Sequence, residues 1–171
     1  MWLFKTLIGL VILSALNLSC GFQPMYGNQK GGEVLKQLAA VDVVPMRGLL
    51  GVEMYNRLLD NLRPSGKAYA PDYQLLVEIA TNRAPLITEA DSQVRRFKII
   101  VIANYRLVAI GSDTVLDTGT ARAVASYNVV ETSNYASSVA EEEAQLRGVR
   151  EISQQIVAGL SMFFKQLSSE L

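Results

Sequence analysis

Cys20 is the only cysteine in the 171-residue chain, and it follows an apolar segment near the start. After Lys5 that segment has an uncharged run of about a dozen residues, short of the roughly 20 that a helix needs to cross a bilayer. Such a run, ending at Ser19, is typical of a signal peptide; a buried helix or a true membrane span is the alternative. One thiol cannot form a disulfide within the chain, whereas lipidation needs only one.

Most enzyme chemistry lacks its usual side chains in this sequence. The chain contains no histidine, which excludes histidine acid–base catalysis, Ser-His and Cys-His nucleophiles, and histidine metal sites. The nucleotide loops G-x-G-x-x-G and G-x-x-x-x-G-K-[ST] are also missing. Carboxylate pairs need no histidine, so these absences do not exclude every enzyme. We nevertheless expect a protein that is not an enzyme and that uses no cofactor or metal.

The charge balance indicates no nucleic-acid partner. Lys and Arg number 16, as do Asp and Glu, and loss of Lys5 with a leader at 1–19 leaves 15 basic against 16 acidic side chains. Nucleic-acid-binding domains usually carry a basic patch or a high isoelectric point. The 152 residues that follow a 19-residue leader are enough for one domain with a hydrophobic core. We expect a flexible linker at 20–34 and a single domain at 35–171.

The hydrophobic pattern predicts a strand and then a helix at the start of this domain. The β-branched run at 35–45, closed by Pro45, predicts the strand. Apolar residues at spacings of three and four predict a helix over 48–62, which ends before Pro64. The expected buried stripe of this helix is Leu49, Val52, Tyr55, Leu58, Leu59 and Leu62.

Three strands and a long helix are predicted after that. Apolar and polar residues alternate at 72–81, 94–109 and 115–130, and the middle segment is long enough to need a bulge or a projecting end. A capping box, Ser138-Val139-Ala140-Glu141, predicts the start of a helix over 138–167. We favour packing of this helix on the protein's own sheet over a partner-binding or membrane role.

The order of elements is therefore β-α-β-β-β-α. Short connections make the last three strands a meander, and the first helix is a crossover that allows strands one and two to run parallel. Two helices can cover only one face of four strands. We predict an α+β fold, a two-layer sandwich in which a four-stranded mixed sheet carries two helices on one face and leaves the other face bare.

Four basic residues share the strand parity that faces away from the predicted helices, namely Arg96, Lys98, Arg106 and Arg122, against Glu78 alone. Arginine binds phosphate through two parallel hydrogen bonds, so this face could contact an anion. A solvated face, whose charges only limit edge-to-edge pairing, explains the same pattern equally well.

The sequence around Cys20 resembles two known patterns. Ser19-Cys20 resembles the end of a bacterial lipoprotein leader, with Asn17 and Leu18 where a leucine and a small residue are usual. In that family's sorting rule, Gly21 favours the outer membrane. The octet at 20–27, CGFQPMYG, resembles the CGFxPLYG start of alphaproteobacterial LptE, a lipopolysaccharide-assembly lipoprotein family, and the predicted order of elements resembles that family's fold.

The resemblance implies a non-catalytic outer-membrane lipoprotein on the periplasmic face, anchored by acyl groups on Cys20. In that family the partner is the outer-membrane β-barrel LptD, which LptE plugs and helps to assemble while lipopolysaccharide is received. We therefore expect Arg96, Lys98, Arg106 and Arg122 to contact lipopolysaccharide or acidic residues of the barrel.

A lipoprotein that acts alone and carries an apolar ligand is the alternative. It would need a cavity between sheet and helices. The small side chains of Ala121, Ala123 and Ala125 would either leave that space or let a helix pack closely.

Overall fold

The computed structural model describes residues 29–86, 96–112, 114–129 and 133–170. Cys20, the expected leader at 1–19 and the octet at 20–27 lie outside the described residues. In chain order the elements are α1 (Gln29–Ala39), β1 (Val41–Val43), α2 (Gly48–Leu62), β2 (Tyr73–Leu86), β3 (Arg96–Ala109), β4 (Val115–Asn128) and α3 (Asn134–Glu170).

The strands form one mixed sheet in the order β1-β2-β3-β4. β1 runs parallel to β2, with Val43 beside Leu75, and β2, β3 and β4 form an antiparallel meander. The β3–β4 register shifts between Leu107 and Val108, which is the irregularity expected of so long a strand. The parallel first pair and the meander confirm the topology predicted from the sequence.

The helices lie on one face of the sheet. Odd-numbered strand residues turn into the core on that face, where Leu75, Ile99 and Leu107 are fully buried. α3 packs along β3 and β4, while α1 and α2 pack against α3. The Asn61 side chain of α2 donates a hydrogen bond of 3.1 Å to Ser153 Oγ of α3. The α+β class, with a four-stranded mixed sheet, is confirmed.

A glycine lets α3 approach the sheet closely. A Cβ atom added at Gly148 would come within 2.5 Å of Val101 Cγ2 and 3.9 Å of Ala123 Cβ. Ala121 and Ala123 are themselves buried. The small side chains here therefore let the helix pack closely, and the space that a carried ligand would need is filled at Ala123.

α1 occupies positions that the sequence pattern assigned to the end of a linker and the first part of a strand. Residues 29–39 are helical, and β1 keeps only Val41–Val43 of the expected strand. Val34 and Leu38, one turn apart, are buried in the core, so tertiary packing overrides the weak local preference of this glycine-containing segment. The covered face consequently carries three helices rather than two.

α2 has the predicted bounds, and Leu58 and Leu62 of its expected stripe are buried, but its first turns bury a different side. Leu49 and Val52 are 59% and 52% exposed. Gly51 faces inward instead, and a Cβ added there would lie 2.8 Å from Met46 Cβ, so the preceding loop fixes the helix orientation. The residues that α2 buries are Gly51, Met54, Leu58 and Leu62.

α3 begins one turn earlier than predicted. Ser133 Oγ accepts a hydrogen bond of 3.1 Å from the Ala136 N–H, so Ser133 caps the helix. The expected cap, Ser138, lies inside the helix and donates to the Asn134 carbonyl at 2.9 Å. Glu141 binds a strand residue rather than the helix start. The predicted capping box is therefore wrong.

Candidate functional site on the open face

The face of the sheet opposite the helices is built from the even-numbered residues of β2 and β3 and, from Thr118 onward, of β4. These residues are exposed or half-buried, and none of them is fully buried. We call this surface the open face. It consists mainly of Leu76, Glu78, Ala80 and Asn82 of β2, Arg96, Lys98, Ile100, Ile102, Asn104 and Arg106 of β3, and Thr118, Thr120, Arg122, Val124 and Ser126 of β4.

The four predicted cations lie on the open face as an extended array. Arg96 and Lys98 are together at one end of β3, and Arg106 lies eight residues beyond Lys98, roughly 27 Å at 3.4 Å per residue. Arg122 lies opposite Ile102, about midway along the strands between Lys98 and Arg106. The array therefore suits several anionic groups rather than one.

No ion pair within the described ranges involves any of these four cations; the ion pairs found there use other arginines. Among the described residues of β2, β3 and β4, Glu78 is the only acid on this face, and it lies opposite Asn104. Asp42 lies beyond it in the edge strand β1. The four cations are therefore available to an anionic partner.

An apolar strip crosses the middle of the open face. Ile100 and Ile102 are half-buried neighbours in β3. Val124 lies opposite Ile100 and is 46% exposed, and Ala80 lies opposite Ile102. Aliphatic surface flanked by cations fits an amphiphile with anionic groups and hydrocarbon chains better than it fits a simple ion.

A polar network on the helix-covered face was not foreseen from the sequence. Arg83 Nε donates to Tyr127 Oη at 2.7 Å, and Tyr127 Oη donates to Glu141 Oε2 at 2.6 Å. Arg83 also pairs with Glu141 at 3.5 Å, and its guanidinium lies 3.7 Å from the ring centroid of Phe97. The network ties the far end of the sheet to α3.

Burial is the main cause that raises the pKa of Tyr127 above its ordinary value, and the bond to Glu141 adds to it while Arg83 opposes it. The sequence feature that could have indicated this network is Arg83, whose odd number places it on the core-facing side of β2. This feature was missed because the predicted strand ended at 81, whereas β2 continues to Leu86.

The part of the chain that the structure describes holds no group of three or more His, Cys, Asp or Glu residues that could bind a metal. None of its helices is both long and apolar enough to span a membrane. What the open face offers is contact by charge and by aliphatic surface.

The fold is that of several lipoproteins of known structure. A lipoprotein from Caulobacter crescentus CB15 matches with a TM-score of 0.63 at 18% identity, covering 79% of this chain and 97% of that one. A minor lipoprotein from Acinetobacter baumannii gives 0.55 at 15% identity, with 71% and 88% covered. The rare lipoprotein B from Shewanella oneidensis gives 0.51 at 15% identity, with 77% and 97% covered. At these identities the likeness shows the fold alone.

Sequence similarity defines the family. The model of the lipopolysaccharide-assembly family LptE matches residues 35–160. Protein RP188 of Rickettsia prowazekii (strain Madrid E) is 30% identical over 155 residues, which cover 91% of this chain and 95% of RP188. The chain therefore belongs to the LptE family of lipopolysaccharide-assembly lipoproteins. This family has a non-enzymatic role and is not known to use cofactors. Its members are lipoproteins of the cell envelope.

Proposed function

We propose that this protein is an outer-membrane lipoprotein that plugs an LptD-like β-barrel, helps to assemble it, and takes part in lipopolysaccharide transport and insertion. Acyl chains on Cys20, exposed by removal of residues 1–19, would hold it on the periplasmic face. The observation that carries the proposal is the open face of an LptE-family chain, where four cations without ion-pair partners among the described residues surround an apolar strip.

The open face suits lipopolysaccharide because both parts of the lipid find a matching surface. Lipid A carries phosphates, which Arg96, Lys98, Arg106 and Arg122 would bind through charge-assisted hydrogen bonds. Its hydrocarbon portion would lie on the strip around Ile102. The cations are spread over roughly 27 Å of strand, so more than one phosphate would be held at once.

The barrel wall is the other surface that these cations would meet. The interior of an outer-membrane barrel is largely polar, and a plug must match it over a large and permanent interface. Acidic residues on that wall would pair with the same four side chains. The two partners are separated by experiment, because lipopolysaccharide binding can be measured on the protein without a barrel.

The test replaces the cations of β3 together, as Arg96→Ala, Lys98→Ala and Arg106→Ala. A charge-matched control removes three exposed cations that lie away from the open face, Lys36, Lys67 and Lys165, each replaced with Ala. Exposed charge contacts contribute about 1 kcal/mol each, so the β3 variant should bind lipopolysaccharide roughly 100-fold more weakly, with the control unchanged.

Co-purification with the barrel is measured on the same variants. Weaker lipid binding with normal barrel recovery supports lipid contact, and lost recovery with normal lipid binding supports barrel contact. Normal results for both in the β3 variant would remove the open face as the site.

The tether is tested by the intact mass of the membrane-extracted protein. One acyl chain anchors a protein only marginally, at about 0.8 kcal/mol per buried CH₂, so firm retention needs several chains on Cys20. We expect the mass of residues 20–171 plus a lipid moiety that carries three acyl chains, and an uncleaved precursor for Cys20→Ser. A wild-type mass that includes residues 1–19 would contradict the proposed processing.

A further inference from the structure

The two edges of the sheet differ in whether their main-chain groups are already hydrogen-bonded. At the β4 edge, Gln155 Oε1 accepts from the Arg122 N–H and Gln155 Nε2 donates to the Arg122 carbonyl, each at 3.2 Å. Arg147 donates to the Ser126 carbonyl at 3.1 Å. Side chains of α3 therefore occupy main-chain groups at Arg122 and Ser126 that a neighbouring strand would use, which obstructs strand pairing at this part of the edge.

The β2 edge is open along most of its length. β1 pairs only with Tyr73–Leu75, whereas β2 continues to Leu86. The Leu75 carbonyl faces this edge, since it accepts from the Val44 N–H at 3.0 Å. By strand alternation, the main-chain groups of four more residues face the same way, and no hydrogen bond from elsewhere in the described ranges reaches them. They are Val77, Ile79, Thr81 and Arg83.

A cleft of about 400 Å³ lies beside this edge, between β2 and the start of α2. Met46 and Leu50 line it on one side, and Val77 and Ile79 on the other. Side chains of an extended chain point to alternate sides. A strand laid along the edge would therefore direct an aliphatic side chain into the cleft.

The charge on this side of the edge favours a particular occupant. Arg47 lines the cleft, is exposed, and forms no ion pair with another described residue. Glu78 also lines the cleft, but its side chain belongs to the open face by its register. A strand with a carboxylate would complement Arg47. In a two-fold pairing of two copies centred on Thr81, Arg83 of the second copy would lie opposite Ile79, near Arg47, and like charges there are unfavourable.

We propose that the β2 edge binds an extended strand of another polypeptide, which pairs with Val77–Arg83, places an aliphatic side chain in the cleft and sets an acidic side chain against Arg47. In such strand addition the main-chain hydrogen bonds supply affinity and the cleft supplies selectivity. The interaction uses the edge and the helix side of the sheet, so it does not depend on what the open face binds.

The test measures hydrogen exchange by mass spectrometry on the membrane-extracted full protein in detergent. The probes are three blocked nonapeptides of alternating Thr and Val. The first carries one Glu, the second carries one Lys at the same position, and the third carries Pro at alternate positions. We expect the Glu peptide to slow exchange across 77–83 at least tenfold, the Lys peptide to act more weakly, and the Pro peptide to have no effect. Exchange in β4 should not change.

Two variants make the test specific. Thr81→Pro removes an outward N–H that makes no bond in the described fold, and it should abolish the slowing that the matched Thr81→Val retains. Arg47→Glu should reverse the preference, so that the Lys peptide acts more strongly than the Glu peptide.

Three results would overturn the proposal. The first is no slowing by any peptide at about 1 mM, a concentration that half-saturates even a weak site with a Kd of about 1 mM. The second is equal slowing in Thr81→Pro. The third is protection of the β2 edge before peptide is added, which would assign the edge to another part of this chain or to a second copy.

Discussion

Replacing Gly159 with alanine tests how tightly α3 packs on the sheet. A Cβ atom at this position would lie 2.7 Å from Tyr105 Oη and 3.7 Å from Tyr105 Cζ. The ring has little room to retreat, because it also packs against Gly119, where an added Cβ would lie 2.5 Å from the same Cζ. We therefore expect Gly159→Ala to strain the wild-type core through the tyrosine hydroxyl.

Two effects of opposite sign determine the result. Alanine is favoured over glycine inside a helix by about 1 kcal/mol. Overpacking a filled core costs about 1–3 kcal/mol. Gly159→Ala should therefore lower the free energy of unfolding of the wild type by up to about 2 kcal/mol. In Tyr105→Phe the nearest remaining ring atom is 3.7 Å away, an ordinary contact distance, so the same change should stabilise by up to about 1 kcal/mol.

The assay is urea unfolding of the wild type, the two single variants and the double variant, all produced without residues 1–19 and with Cys20→Ser. We expect Gly159→Ala to lower the free energy of unfolding when Tyr105 is present and to raise it in the Tyr105→Phe background. The dependence of that free energy on urea concentration should be similar in all four proteins. Equal destabilisation in both backgrounds would refute the reasoning, since the hydroxyl would then not be the obstacle.

Three further predictions concern the start of α3 and the polar network. Tyr127→Phe removes the bonds to Arg83 and Glu141 and should lower the free energy of unfolding by about 1–2 kcal/mol. Because the folded state raises the pKa of Tyr127, the neutral phenol is favoured, so this contribution is present below pH 10 and is lost as pH rises through the folded pKa. Alkaline unfolding should be less steep in Tyr127→Phe. Ser133→Ala should cost about 1 kcal/mol, and Ser138→Ala much less.

The controls for these predictions use the same measurement. Glu141→Gln keeps a hydrogen-bond acceptor for the phenol and should cost less than Tyr127→Phe. An identical alkaline profile with and without Tyr127 would contradict the assigned direction of its pKa, since only Tyr73 and Tyr105 would then carry the effect. Equal losses for the two serine variants would contradict the cap.

The strand pattern was predictable because a period of two is a strong local signal. The ranges at 94–109 and 115–130 nearly coincide with β3 and β4, and the parity of Ile99 and Val101 identified the core face. α1 was not predictable in this way, because its glycines and lysines are typical of a linker. Its helix depends on Val34 and Leu38 packing against α3, a contact distant in sequence.

The buried face of α2 shows the same limit. Apolar residues lie all round its first turns, so spacing alone allowed a stripe through Leu49 and Val52. Which side turns inward is decided by the contact between Gly51 and Met46, where a Cβ cannot be accommodated. A sequence lists the candidates for burial, whereas the direction of approach of the neighbouring loop selects among them.

The open-face cations differ from the other arginines in what they do for the fold. Arg57, Arg83 and Arg150 form ion pairs on the helix side. Arg122 is bound through its main chain by Gln155, and its side chain forms no hydrogen bond or ion pair with another described residue. Substitutions of such exposed side chains usually change stability by less than about 0.5 kcal/mol.

This difference allows effects on binding at the open face to be separated from effects on stability. If Arg96→Ala, Lys98→Ala and Arg106→Ala together leave the unfolding curve unchanged while binding falls, the loss belongs to the partner contact and not to a weakened core. A β3 variant that unfolds at clearly lower urea would instead assign these cations to the stability of the sheet. The proposed role therefore requires side chains that the fold itself does not need, and that requirement can be measured.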